Sequence, residues 1–295
     1  MIEINGQKIV LDKFPNGETL VHTEVLNELI KQKTEKIRID FKWLNDEDLL
    51  HLFFVLKHLG KKISKDIIFN YMPYSRMDRK QNDNCFTLKY VTEILKNCLG
   101  KEDKIYILEP HSDVTLDLLN AKRINVITPL MNEILKRHPE IDMICYPDKG
   151  AKNRFQDDEV KLPVVFCNKV RDFDTGEILG LELDGDTDVN GKNVLILDDL
   201  CSKGGTFYHT ANKLKEHGAK NVYLGVCHME DTIRYGVIYK DKTVDRKTPI
   251  KQIYCMDTML FDTTAFWLQG NSENLTIFNT KMFLDNGKFV ETERE

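Results

Sequence analysis

The chain has 295 residues, enough for two ordinary domains, and its 41% hydrophobic and 30% charged residues can fill cores and keep a hydrated surface. Its 42 Lys and Arg against 47 Asp and Glu leave a net charge of −5, which argues against a general nucleic-acid binder. No apolar run approaches the roughly 18–20 residues of a membrane span. The opening MIEINGQKIVL lacks a basic stretch followed by an apolar one, and the seven cysteines are scattered without a CxxC pair. A protein of the reducing cytoplasm is expected, with no membrane partner.

In chain order, Ile37–Phe41 reads as a strand, followed by a helix with Asn45 as N-cap and Asp46, Glu47 and Asp48 placed against its dipole. Ile67–Tyr71 is the next apolar run, and Leu88–Leu99 has helical spacing. Strands are expected at Ile105–Leu108, Ile124–Thr128, Met143–Tyr146, Val164–Cys167, Val194–Leu197 and Val222–Cys227. Helices are expected at Pro129–His138 and Thr206–His217, the second ending at Gly218. This alternation implies an α/β fold with parallel sheets covered on both faces. Pro139 marks the expected boundary, giving domains 1–140 and 141–295. The charged, glycine-interrupted stretch Asp172–Lys192 reads as a hairpin or flexible loop, and Asp241–Lys247 as a surface excursion.

The strongest chemical signal is Val194-Leu-Ile-Leu-Asp-Asp-Leu-Cys-Ser-Lys-Gly-Gly-Thr206 ahead of a helix. A buried strand delivers Asp198 and Asp199 to its C-terminal edge, where open α/β sheets bind ligands. Gly204 and Gly205 let backbone N–H groups converge on an anion, and the helix start adds partial positive charge. Ser202, Thr206 and Lys203 complete a phosphate cradle, while the carboxylates suit the vicinal hydroxyls of a sugar. A ribose carrying a 5-phosphate fits. The plainer alternative is a glycine-bearing turn beside a solvated acidic pair, and the convergence of all these groups weighs against it. Cys201, next to a helix start, is either a reactive thiol or a small filler residue, and filler is expected.

Ile196–Thr206 resembles the phosphoribosyl-diphosphate (PRPP) signature shared by type I phosphoribosyltransferases and PRPP synthetases. Other segments favour the second family. Tyr71-Met-Pro-Tyr-Ser-Arg-Met-Asp-Arg-Lys80 is similar to its ATP-binding loop, and Lys13-Phe-Pro-Asn-Gly-Glu18 to its early Phe/Asn/Glu segment. Glu109-Pro-His111 stands where the family has Asp-x-His. Tyr146-Pro-Asp-Lys-Gly-Ala-Lys-Asn-Arg154 resembles the diphosphate turn, and Lys169-Val-Arg171 the Lys-x-Arg pair of the catalytic loop. The blocks keep the family's order over nearly the whole chain and thin out after about Asp257. The chain is identified as a divergent member of the ribose-phosphate pyrophosphokinase family.

The resemblance implies two tandem type I phosphoribosyltransferase-like domains, each with a mostly parallel sheet flanked by helices, an active site between them and assembly into dimers or hexamers. It implies ATP binding by Phe14, Asn16, Glu18, Arg76, Asp78 and Arg79, with the first three reaching a neighbouring subunit's site. It implies a diphosphate turn at Asp148, Lys149, Gly150, Ala151 and Lys152, and catalysis by Lys169, Arg171 and His111. Mg²⁺ would be held by His111, Asp148 and Glu109. Taken singly, each has a plainer reading: a solvated basic loop for Arg76 and Arg79, a core aromatic for Phe14, a structural imidazole for His111 and a turn aspartate for Asp148.

The activity implied is transfer of the diphosphate of ATP to the anomeric hydroxyl of ribose 5-phosphate, releasing AMP. Three departures bear on the acceptor: Ser202-Lys203 replaces the family's Asp-Thr, a local change of two charge units beside the bound phosphate; Met77 replaces a Gln; and the tail is unlike that of the ordinary enzyme. Glu109, in place of an Asp, lengthens that metal ligand by one methylene and bears on direct coordination instead. A more cationic cradle suits an acceptor whose 5-phosphate is esterified further, such as ADP-ribose, on which divergent phage-encoded relatives act. A non-catalytic nucleotide-binding regulator is the alternative of another class, and intact Lys169, Arg171, His111 and Asp148 weigh against it.

Overall fold

The computed structural model describes residues 1–80, 82–155, 161–171, 178–184, 188–242 and 247–292. The chain divides into two compact units, Met1–Ile124 and Asn125–Glu295.

The first unit contains β1 (Ile2–Ile4), β2 (Gln7–Lys8), β3 (Leu11–Lys13), β4 (Thr19–Val21), α1 (Glu24–Lys31), β5 (Lys36–Phe41), α2 (Asp46–Leu59), β6 (Ser64–Phe69), α3 (Thr87–Cys98), β7 (Lys104–Leu108), α4 (Asp113–Leu119) and β8 (Lys122–Ile124). Its sheet runs β2-β1-β5-β6-β7-β8, with β5 to β8 parallel and β1 antiparallel to both of its neighbours. The burial of β5 alternates, sinking Ile37, Ile39 and Phe41 into the core, where Phe41 meets Phe69 edge to face at 5.3 Å. Helix α2 starts as its sequence dictates: Asn45 accepts from the Glu47 amide, and Asp48 reaches back to the Asn45 amide at 3.1 Å.

The second unit contains α5 (Ile127–Arg137), β9 (Met143–Tyr146), α6 (Lys149–Phe155), β10 (Val164–Arg171), β11 (Ile178–Asp184), β12 (Asn193–Cys201), α7 (Gly205–Glu216), β13 (Asn221–Met229), a 3₁₀ turn (Asp231–Tyr235), β14 (Gln252–Met256), α8 (Asp262–Asn271), β15 (Leu275–Phe278) and α9 (Thr280–Asn286). The sheet order is β11-β10-β9-β12-β13-β14-β15, parallel except for β11. Strands β12 and β13 are buried along almost their whole length, as strands covered on both faces must be. The order reverses between β9 and β12, whose successors leave in opposite directions, and this opens a crevice at their carboxyl ends.

Three expectations shift. The division falls at Ile124, not at residue 140, because α5 packs on β12 and β13 of the second sheet; Ile134 lies against Gly225 of β13. The strand expected at Ile124–Thr128 stops at Ile124, and Ile127 already opens α5. Strand β12 extends beyond Leu197 to Cys201, since its ladder with β13 continues through Asp198–Val226 and Cys201–Met229. Of Asp172–Lys192, the described part contains β11, which pairs antiparallel with β10 as a hairpin; residues 172–177 and 185–187 lie outside the described residues, as do 243–246 of the later excursion.

Candidate active site

The second unit gathers its chemistry at the crevice between β9 and β12. After β12 the chain turns through Ser202 and Lys203 to Gly204, which caps α7 in the left-handed conformation at φ 78°. Glycine is required there twice over, because a Cβ would also lie 2.5 Å from the Ile238 side chain. The first turn of α7 thereby presents amides that have no acceptor within the helix, with Lys203, Gly205 and Thr206 exposed around them. A second layer supports the turn: Ser202 Oγ lies 3.0 Å from Thr232 Oγ1, which donates to Glu230 Oε2 at 3.1 Å. The Val237 amide donates to Lys203 O at 3.2 Å. Sequence reasoning missed Glu230, Thr232 and Gly236, whose contacts with the cradle form only through the 3₁₀ turn. Cys201 is fully buried and its thiol is pushed well up by that burial, so it is a packing residue.

Asp198 and Asp199 share one cation. Arg154, on α6, donates through Nη1 to Asp199 Oδ1 and approaches Asp198 Oδ1 at 3.4 Å, while the Asp199 amide donates to Asp198 Oδ1 at 2.9 Å. Burial first, and then the neighbouring Asp199 charge, push the Asp198 carboxyl well up.

The turn after β9 is an N-cap for α6. Asp148 Oδ1 accepts the Ala151 amide at 3.0 Å, and Asp148 O accepts the Lys152 amide at 3.1 Å. Two of the four amides at Lys149–Lys152, those of Ala151 and Lys152, are thus engaged by Asp148 itself. The Lys152 ammonium sits 3.8 Å above the Phe166 ring, and Lys149 is exposed. Lys169 and Arg171 lie on β10, paired with Leu181 and Ile178 of β11, and a register shift between Val170 and Arg171 interrupts the ladder. Their side chains fall outside the described residues.

In the first unit, Phe14, Asn16 and Glu18 form the tip of the β3–β4 hairpin. The Phe14 amide donates to Glu18 O at 2.8 Å, Asn16 Nδ2 donates to Glu18 Oε2 at 2.6 Å, and Phe14 is 50% exposed. Arg76, Asp78 and Arg79 follow β6 in a loop anchored by Tyr74, whose hydroxyl donates to Asp46 at 2.7 Å. Arg76 and Arg79 are exposed, and Arg79 Nε lies 3.9 Å from Asp78 Oδ1. His111 is half-buried between β7 and α4. Glu109 is completely buried, with Arg123 Nη2 2.5 Å from its Oε1. Among the described residues, no group of three or more His, Cys, Asp or Glu side chains is arranged to hold a metal, and no helix is long and apolar enough to cross a membrane.

The chain is 31% identical over 229 residues to the ribose-phosphate pyrophosphokinase of Pyrococcus abyssi, a match covering 75% of each protein. It belongs to the ribose-phosphate pyrophosphokinase family. The Sulfolobus acidocaldarius member is 25% identical over 277 residues, covering 91% of this chain and 90% of that one. No family model matches the chain. The crystal structure of phosphoribosylpyrophosphate synthetase from Mycobacterium smegmatis superposes with a TM-score of 0.69 over 95% of this chain and 88% of its own, at 20% identity, and establishes the tandem fold. The chain is therefore an enzyme of the pyrophosphokinase type and a divergent member of its family.

Proposed function

We propose that the protein transfers the diphosphate of ATP to the anomeric hydroxyl of ribose 5-phosphate, giving PRPP and AMP. The observation that carries this reading is the crevice at the β9–β12 reversal. There a glycine-capped helix start and a paired-carboxylate strand end stand beside an amide-bearing turn on one sheet. In this reading the Ser202–Thr206 turn takes the 5-phosphate, Asp198 and Asp199 accept hydrogen bonds from the ribose hydroxyls, and Lys149–Lys152 takes the diphosphate. Arg76, Asp78 and Arg79 hold the nucleotide, with Phe14, Asn16 and Glu18 serving a neighbouring subunit. Lys169 and Arg171 offset charge on the leaving AMP oxygen, and alignment and neutralisation supply most of the acceleration.

Mg²⁺ takes one or two protein carboxylates together with phosphate oxygens. Asp148 suits that donor set in kind, as a part-exposed carboxylate at the start of α6. Buried Glu109, held against Arg123, does not suit it, and His111 offers a nitrogen that Mg²⁺ takes reluctantly. The ion, when bound with the nucleotide, supplies neutralisation of the phosphate charge.

One observation favours ADP-ribose as a second acceptor. Lys203 is exposed at the cradle, and no carboxylate among the described residues pairs with it, so an additional phosphate would meet an available cation. The test is AMP formation from MgATP with ribose 5-phosphate and, separately, with ADP-ribose, with products identified by mass. AMP and PRPP from ribose 5-phosphate are expected. AMP from ADP-ribose alone would make Ser202-Lys203 the specificity element, and no AMP from either would leave a nucleotide-binding regulator.

A further inference from the structure

Two adjacent carboxylates in a closed strand end are an unstable arrangement. Asp199 has only 4% of its side chain exposed and Asp198 17%, and each raises the cost of ionising the other. A protonated member would give up part of its acceptor capacity toward a sugar diol. Arg154, 44 residues before Asp198, offsets only part of that cost and fixes where the acids stand. Arg154 projects from the last turn of α6, the helix begun by the Asp148 cap, and engages Oδ1 of both acids with a single nitrogen. Its own side chain is 18% exposed, and its guanidinium lies 5.5 Å from the centre of the Phe155 ring, itself buried against Tyr146 of β9. The cation is thus held between the amide-bearing turn on β9 and the acid pair on β12, spanning the crevice from one side to the other.

We propose that Arg154 is a positioning residue for the acceptor: it holds Asp198 and Asp199 in place through Oδ1 so that the pair receives the ribose diol, and it ties their placement to that of the Lys149–Lys152 turn. The assignment rests on the function proposed above. Arg154 acts on the acceptor through the acids and makes no demand on the reacting phosphorus. Its loss therefore weakens acceptor binding in the ground and transition states alike, raising KM with little change in kcat. A charge-assisted hydrogen bond of this kind corresponds to a change of about tenfold or more.

The test measures steady-state kinetics of the full chain with MgATP and ribose 5-phosphate or ADP-ribose, using whichever acceptor the wild type turns over. Arg154→Gln should raise the acceptor KM at least tenfold, leave the ATP KM within about twofold and reduce kcat less than threefold. Arg154→Lys, which restores the charge without the planar fork, should recover part of the loss and stands in if the Gln variant does not fold. On an Asp199→Asn background, Arg154→Gln should add little, because the partner it serves is already altered. An acceptor KM unchanged in Arg154→Gln, or a full additive loss in the double variant, overturns the role of Arg154 while leaving the proposed reaction intact. A wild type that forms no AMP with either acceptor overturns both.

Discussion

Gly236 offers a way to displace the Ser202–Thr206 turn, the cradle proposed for the acceptor phosphate, without touching a residue in it. It follows the 3₁₀ turn in an ordinary extended conformation, φ −85° and ψ 172°, so alanine meets no backbone strain there. The obstacle is purely steric: a Cβ would lie 2.2 Å from Lys203 O, 2.8 Å from Lys203 C and 2.9 Å from Ile233 O, all of them backbone atoms that no rotamer change can move. Restoring normal contact requires the Lys203 backbone and the 3₁₀ turn to part by about 1 Å, since non-bonded atoms settle near 3.5 Å. Parting them stretches the bond from the Val237 amide to Lys203 O, now 3.2 Å. Overpacking of this kind costs about 1–3 kcal/mol, and a 1 Å misplacement of a binding element can cost about 100-fold in rate. Gly236→Ala should therefore lower the melting temperature by several degrees and raise the acceptor KM by at least tenfold, with the ATP KM unchanged. Differential scanning calorimetry and AMP-release kinetics read the two effects. A variant with wild-type melting and a wild-type acceptor KM would refute the claim that this contact sets the position of the cradle.

Lys65 and Asp103 form a buried pair in the first unit at 3.2 Å, with the ammonium also donating to Ile63 O at 2.7 Å and Gly60 O at 2.9 Å. Lys65→Ala leaves the Asp103 charge uncompensated and should destabilise that unit by roughly 3–5 kcal/mol in urea unfolding; a loss under 1 kcal/mol would contradict it. Glu140 is held at about 2, chiefly by the Tyr223 hydroxyl donating at 2.7 Å. Because its folded value lies below the unfolded one of 4.5, its stabilisation is complete above about pH 4.5 and is lost as pH falls toward 2. The melting-temperature gap between wild type and Glu140→Gln should accordingly shrink from pH 7 to pH 3, and a gap independent of pH would exclude this linkage.

Much of the fold is legible in local pattern. Met143–Tyr146 is a strand because four apolar residues sit between a polar turn and Pro147, and Asn45 with three acids starts α2 because side-chain capping and the helix dipole act within one turn. The alternation of strands and helices dictates a parallel α/β arrangement, and Gly204 and Gly205 mark the strand-to-helix turn beside two carboxylates. All of these depend on interactions between residues close in sequence.

What the tertiary structure decided are the pairings that span long stretches of chain. Pro139 suggested a boundary that α5 overrode, because its apolar face is buried on β12 and β13 of the second sheet rather than where local breakers would divide the chain. Asp148 is a helix cap that engages the Ala151 and Lys152 amides, and Glu109 is withdrawn into the core beside Arg123 on β8. Arg154 sits in a motif where sequence assigns it no partner; only the reversal of strand order between β9 and β12 brings it to Asp198 and Asp199. Local sequence determined the elements and the chemical character of their ends, since caps, turns and periodicity act over a few residues. Which ends face each other, and hence which charges are paired and which are left for a ligand, followed from sheet order, a property of the packed chain as a whole.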